Sequence, residues 1–148
     1  MEIRPKITID TAKTPTMCFG CGQENPIGLK LKFQLLDGVA RAEFTTDERH
    51  QGWSGIVHGG IISCLLDEAL NYAAYLGGMP CLTAKMQVRL RQTLLVGEKL
   101  FISAAVTRKT RRLVETKASL ALGDGTLVAE AIGKMFVLDA AGGEGTRP

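Results

Sequence analysis

The chain has 148 residues and a mass of 15.9 kDa, about the length of one domain built round one core. Hydrophobic residues make up 45% and charged residues 22%, close to globular averages, which argues against disorder and against a coiled coil. The net charge of +3, from 18 basic and 15 acidic residues, is too mild to require nucleic acid as a partner, and 5% aromatics leave few stacking platforms for it.

The elements follow in chain order. Residues 1–17 are polar, carry Pro5 and Pro15, and read as an extension. Met1 to Lys6 hold no apolar signal region, so no export signal is expected. Residues 18–29 are rich in turn residues and open with a Cys18-x-x-Cys21 pair. Leu31, Phe33 and Leu35 alternate with Lys30, Lys32 and Gln34, the period of a strand. Asp37-Gly38 is a hairpin signal, and Ala40, Ala42 and Phe44 mark the returning strand. Residues 45–58 form a polar loop. Residues 59–76 read as a helix, closed by Gly77-Gly78 and Pro80 and apolar almost all round, hence buried. Its longest unbroken apolar run, Tyr72–Leu76, is five residues where a membrane span needs about twenty.

The rest reads as strands at 83–91, 99–107, 112–122 and 126–138. Ala84, Met86, Val88 and Leu90 face one way in the first of these, and Thr83, Lys85, Gln87, Arg89 and Arg91 the other. Short turns at 37–38, 108–111 and 123–125 imply antiparallel hairpins, and one helix can cover one face of such a sheet, giving an α+β fold. Residues 18–138 read as a single domain and 139–148 as a flexible tail.

Four cysteines in a chain that is not a small secreted scaffold imply reduced thiols and a cytoplasmic location. A zinc site needs four ligands. The only histidines, His50 and His58, are eight apart and no second cysteine pair exists, so Cys18 and Cys21 read as a buried or loop pair, with no metal expected.

Chemistry concentrates at His58-Gly59-Gly60, where the buried helix opens. Free N–H groups and a positive dipole end mark any helix start, and two glycines admit a close approach. The turn suits an anion or a carbonyl oxygen that becomes negative, or it serves only to pack the helix on the sheet. Ser63, Asp67 and Asn71 fall at i, i+4 and i+8, one polar line on a greasy helix. Asp67 in an apolar setting can act as base or nucleophile, or the line is simply the helix's solvated edge; Glu68, about 100° round, is the competing carboxylate. Gly59 and Asp67 are about 12 Å apart along the helix. One substrate carbonyl that meets both therefore draws them from two copies of the helix, which predicts a symmetric dimer. Lys85, Arg89 and Arg91, with Arg108, Lys109, Arg111 and Arg112, form either a phosphate handle or an ordinary solvated face. His50 and Trp53 line a pocket mouth or pack their loop. No Walker loop, G-x-G-x-x-G, G-x-S-x-G or H-E-x-x-H motif is present.

HQGWSGIVHGGIISCLLDEA at 50–69 resembles the signature of hotdog-fold acyl-CoA thioesterases, the phenylacetate-degradation (PaaI-like) type most of all. CFGCGQENPIGLKLKF at 18–33 and LTAKMQVRLRQTLLVGEKL at 82–100 agree with it. The resemblance implies a β-sheet wrapped round a long central helix, paired as a homodimer and often a homotetramer. It implies that Asp67 activates water or attacks the thioester carbonyl. Gly59 would give its N–H to the carbonyl oxygen from the opposing subunit. His58 would place the thioester or leaving sulfur, Thr83 would orient water, and Gly60 would border the substrate. His50 or Gln51 would fill the polar position that precedes HGG in the family. Arg89, Arg91, Arg108 and Arg111 would meet the nucleotide. One departure is that Gln92-Thr93 stands where many relatives have proline after the basic strand.

The expected activity is hydrolysis of an acyl-CoA to a carboxylic acid and free CoA, with no metal or redox cofactor, nucleic acid or membrane involved. Two rivals are a non-catalytic acyl-CoA-binding or regulatory protein and a hotdog-fold hydratase or dehydratase. Asp67 argues against the first, and the His58–Asp67 spacing against the second.

Overall fold

The computed structural model describes residues 9–138. Strands β1 (Gln34–Leu36) and β2 (Val39–Thr45) form a hairpin. Asp37 and Gly38, at φ 51° and 76°, make the left-handed two-residue turn that the sequence signals. A loop with one short 3-10 turn leads to helix α1 (Gly59–Tyr75). Strands β3 (Cys81–Leu90), β4 (Lys99–Lys109), β5 (Leu113–Ala121) and β6 (Leu127–Val137) complete the chain. All six strands join one antiparallel sheet in the order β1-β2-β4-β5-β6-β3.

Helix α1 lies across one face of this sheet and buries Leu65, Leu66, Ala69 and Leu70 completely. Each fully buried leucine contributes about 1.5–3 kcal/mol. The opposing sheet face mixes large side chains such as Leu100, Ile102, Leu120 and Met135 with small ones, Ala40, Ala42, Ala104, Ala118 and Ala131, where the helix can come close. Gly133 marks the closest approach: a Cβ there would stand 2.9 Å from Leu70 Cδ1. Gly78, at φ 89°, turns the chain out of the helix toward β3.

Three expectations are corrected. The first strand starts at Gln34 rather than Leu31. Leu31 N donates to Gly20 O, and Phe33 stacks on Tyr72 of α1 with ring centroids 4.7 Å apart, so 31–33 leave the sheet to cover the helix. Leu35, the last apolar residue of that alternation, is exposed. In β3 the alternation breaks. Thr83 pairs with Met135 and Lys85 with Lys134, so Ala84 is an extra residue, a bulge. Thr83 thereby moves to the helix face with Met86 and Val88, not the outer face with Lys85 and Arg89.

The turn expected at 108–111 lies at 110–112, because β4 runs on to Lys109. The tail expected at 139–148, and the first eight residues of the expected extension, lie outside the described residues. Among the described residues no helix is long and apolar enough to cross a membrane.

Candidate active site

His58 caps α1. Its backbone is extended, and its Nδ1 accepts the Gly60 N–H at 2.8 Å. The proton of the neutral ring therefore sits on Nε2. Ile61 N and Ile62 N both donate to His58 O. Among the described residues the Gly59 N–H has no acceptor, which makes it the free donor of the first turn. It opens on a cavity of about 490 Å³ lined by Gly52, Trp53, Ile56, Val57, His58 and Gly59. Trp53 thus stands at that cavity, largely exposed.

Two turns along α1, Asp67 is half-buried rather than on a solvated edge. Thr83 Oγ1 donates to Asp67 Oδ1 at 2.6 Å. Asn71 Nδ2 donates to Thr83 Oγ1 and to Asp67 O, both at 2.9 Å. The bulge at Ala84 is what aims Thr83 at the helix, so one irregular residue in β3 completes the cluster. Asp67 Oδ2 has no partner among the described residues and is left to meet a water or a substrate. Cys81 Sγ donates to Asn71 Oδ1 at 3.6 Å, and burial pushes its thiol up to about 11, so it stays neutral beside the carboxylate. Asn71 is the member of this group that the sequence reading left without a role, although its place in the i, i+4, i+8 line marked it.

The other expected residues scatter. His50 is drawn into its own loop. Its Nδ1 accepts from Asp47 N at 2.9 Å, its carbonyl accepts from His58 N, and its ring packs beside Phe44. Arg49 forks onto Asp47, holding that carboxyl well below the usual range and fixing the turn. Gln51 Oε1 accepts from Gly55 N at 3.1 Å. Both residues shape the loop before HGG. Arg89 lies on the outer sheet face, in a groove of about 620 Å³ with Arg41, Ser103 and Ser119. Arg91 pairs with Glu130 at 2.6 Å. Arg108 is the last residue but one of β4, and Arg111 sits in the next turn, where Arg112 O accepts from Val137 N at the end of β6. Arg89 and Arg111 thus stand near opposite ends of the sheet, and within one chain the four arginines form no single cluster.

The next residue of α1, Glu68, meets different neighbours. The Cys18–Cys21 loop folds over it, with Cys18 Sγ donating to Glu68 Oε1 at 3.7 Å. Burial and then the charge of Asp67 push Glu68 up from its ordinary range, and burial pushes the Cys21 thiol up to about 12. Nothing in the spacing of 18–21 announces this partner, which lies 47 residues on from Cys21.

A model of the thioesterase superfamily matches residues 54–129, about half the chain, including the HGG turn, Asp67 and Thr83. Among solved structures, a thioesterase superfamily protein superimposes with a TM-score of 0.77 at 28% identity, over 82% of this chain and 60% of that one. The present chain therefore spans about three-fifths of that relative's length. The PaaI protein of the E. coli phenylacetic acid degradation operon gives 0.71 at 19% identity, over 76% of this chain and 83% of that one. A hypothetical thioesterase protein from Streptococcus pneumoniae, solved with coenzyme A, gives 0.69 at 18%, over 80% and 91%. No curated protein matches. With its helix laid across a six-stranded antiparallel sheet, the chain folds as a hotdog domain and belongs to the thioesterase superfamily.

Proposed function

We propose that the protein hydrolyses an acyl-CoA thioester to a carboxylic acid and free CoA. The observation that carries this reading is the Asp67–Thr83–Asn71 cluster, a half-buried carboxylate that takes the Thr83 hydroxyl, itself held by Asn71, and has one oxygen without a partner among the described residues. The coenzyme A bound by the Streptococcus pneumoniae neighbour supports the ligand class.

Asp67 Oδ2 takes a proton from water, or attacks the carbonyl carbon itself, while Thr83 fixes the carboxylate's orientation. Negative charge gathers on the carbonyl oxygen, where the Gly59 N–H and the positive end of α1 stabilise it. The C–S bond breaks and the thiolate leaves with a proton. His58 Nε2–H is the donor placed beside that turn, and Gly60 leaves it room. The balance is one thioester and one water to one acid and one thiol.

Gly59 and Asp67 of one helix stand about 12 Å apart, so a single carbonyl takes them from two chains. Strand β3 supports such an assembly. It ends the sheet with a ten-residue edge that has no strand partner among the described residues, and its Leu90, 54% exposed, faces Gly59. A homodimer joined at β3 completes two sites, and the arginines that one chain separates come from both. His50 and Gln51 act through the loop that carries HGG, with no metal in the reaction.

The test is thiol release from a panel of aryl, medium-chain and long-chain acyl-CoAs, on wild type and Asp67→Asn. Turnover that collapses in the variant is the expected result. Equal turnover in both removes Asp67 from the chemistry. Tight acyl-CoA binding without turnover makes the protein a binding module instead.

A further inference from the structure

We propose that Cys18, Cys21 and Glu68 form a zinc site that clasps the N-terminal loop onto α1, one residue from Asp67. The three donor atoms all lie within 4.8 Å of one another, and all three residues are half-buried. Cys18 Sγ stands 3.7 Å from Glu68 Oε1. A tetrahedral zinc with Zn–S of about 2.3 Å and Zn–O of about 2.1 Å sets a sulfur and an oxygen about 3.6 Å apart, so the pair needs almost no movement.

The chain is shaped to make this approach. A Cβ on Gly20 would fall 2.2 Å from Glu68 Cγ and Cδ, so the backbone between the two cysteines lies directly against the carboxylate. A Cβ on Gly22 would meet Thr16 O and Cys18 N at 2.4 Å, so the loop closes tightly enough to turn both sulfurs the same way. Cys21 N donates to Cys18 Sγ at 3.5 Å, the orientation that also stabilises a bound thiolate.

Charge supplies an independent reason. Among the described residues no lysine or arginine pairs with Glu68, although Asp67 is its neighbour in sequence. A half-buried carboxylate flanked by a second acid and two thiols lacks a cation, and a divalent ion that takes sulfur and oxygen together suits it better than magnesium or calcium. Binding exchanges two thiol protons for one Zn²⁺, and water completes the tetrahedron. The sequence pattern concealed the site because its third ligand comes from the middle of the helix. The clasp is separate from the hydrolytic cluster and does not depend on the thioesterase reading.

The test uses the full chain, reduced and dialysed against zinc ion alone, with bound metal measured by plasma mass spectrometry. One zinc per chain is expected, together with a raised Tm. Cobalt in its place should give a thiolate-to-metal charge-transfer band. The Cys18→Ser/Cys21→Ser variant should lose the metal and the band, and Glu68→Gln should bind about tenfold or more weakly. Circular dichroism shows whether each variant is folded. If the cysteine variant is not, the cobalt band of the wild type decides the ligation by itself. Asp67→Asn should keep the full equivalent, which separates this site from the hydrolytic one. A reduced wild type that takes up no stoichiometric zinc overturns the proposal. So does cobalt bound without a thiolate band.

Discussion

Asp67 and Glu68 are adjacent carboxylates on one helix, and the fold gives them different company. Asp67 meets a hydroxyl at 2.6 Å, itself held by an amide, and keeps one oxygen free. Glu68 meets two thiols and the backbone of Gly20, and burial raises its proton affinity. A rotation of about 100° round a helix separates a carboxylate set against a hydroxyl from one set against two thiols. Chemical role follows from the donors that neighbouring elements present, not from the residue type.

The largest effect should separate the two residues directly. Asp67→Asn should lower kcat by on the order of 10²–10⁴, the usual worth of a positioned acid or base, with the fold unchanged by circular dichroism. Glu68→Gln should lower it by less than about tenfold, since that residue touches no reacting atom. Equal losses would erase the distinction.

Gly59→Pro comes next. Proline at the first helical position keeps the helix, His58 before it is already extended, and a Cβ there meets only Leu90 Cδ1 at 3.7 Å. The substitution removes one N–H and little else. It should lower kcat by about 10²–10³ and leave KM nearly unchanged, measured by steady-state thiol release.

Thr83→Ala should cost about tenfold in kcat, the loss of one hydrogen bond to a charged group, and Thr83→Ser should restore most of it. A loss in both would mean that Thr83 packs rather than orients.

On the thiol side, stability is the readout. Gly22→Ala drives a methyl into backbone atoms of Thr16 and Cys18 and should cost about 3 kcal/mol in urea unfolding. Gly20→Ala meets a side chain that can swing aside, and should cost about 1 kcal/mol while displacing Glu68.

The smallest effect concerns a third polar group beneath α1. Thr116 Oγ1 is buried without a partner among the described residues, unlike Asp67 or Asn71. Thr116→Val should raise stability by about 1 kcal/mol.

Much of this was legible in the sequence. The helix bounds and the hairpin at Asp37-Gly38 follow from the turn and stop residues that flank them, and the buried character of the helix follows from its apolar run. The i, i+4, i+8 line located Asp67 and Asn71 on one face. The family resemblance, not the period, pointed to Thr83, which strict alternation sent to the wrong side of the sheet. A bulge adds one residue without changing composition, so hydrophobic spacing did not reveal it. The partner of the cysteine pair was hidden for another reason. Glu68 reads as one more polar residue of the helix until the fold lays residues 18–22 across it.

In the proposed dimer, Asp67 and Gly59 of different chains serve one carbonyl. Refolding Asp67→Asn and Gly59→Pro chains together tests it most directly. Mixed dimers hold one doubly damaged site and one intact site, so an equal mixture should regain about a quarter of the wild-type activity, far above either parent. A mixture no more active than its parents, with mixed dimers shown to form, would place both groups in one chain and contradict the account.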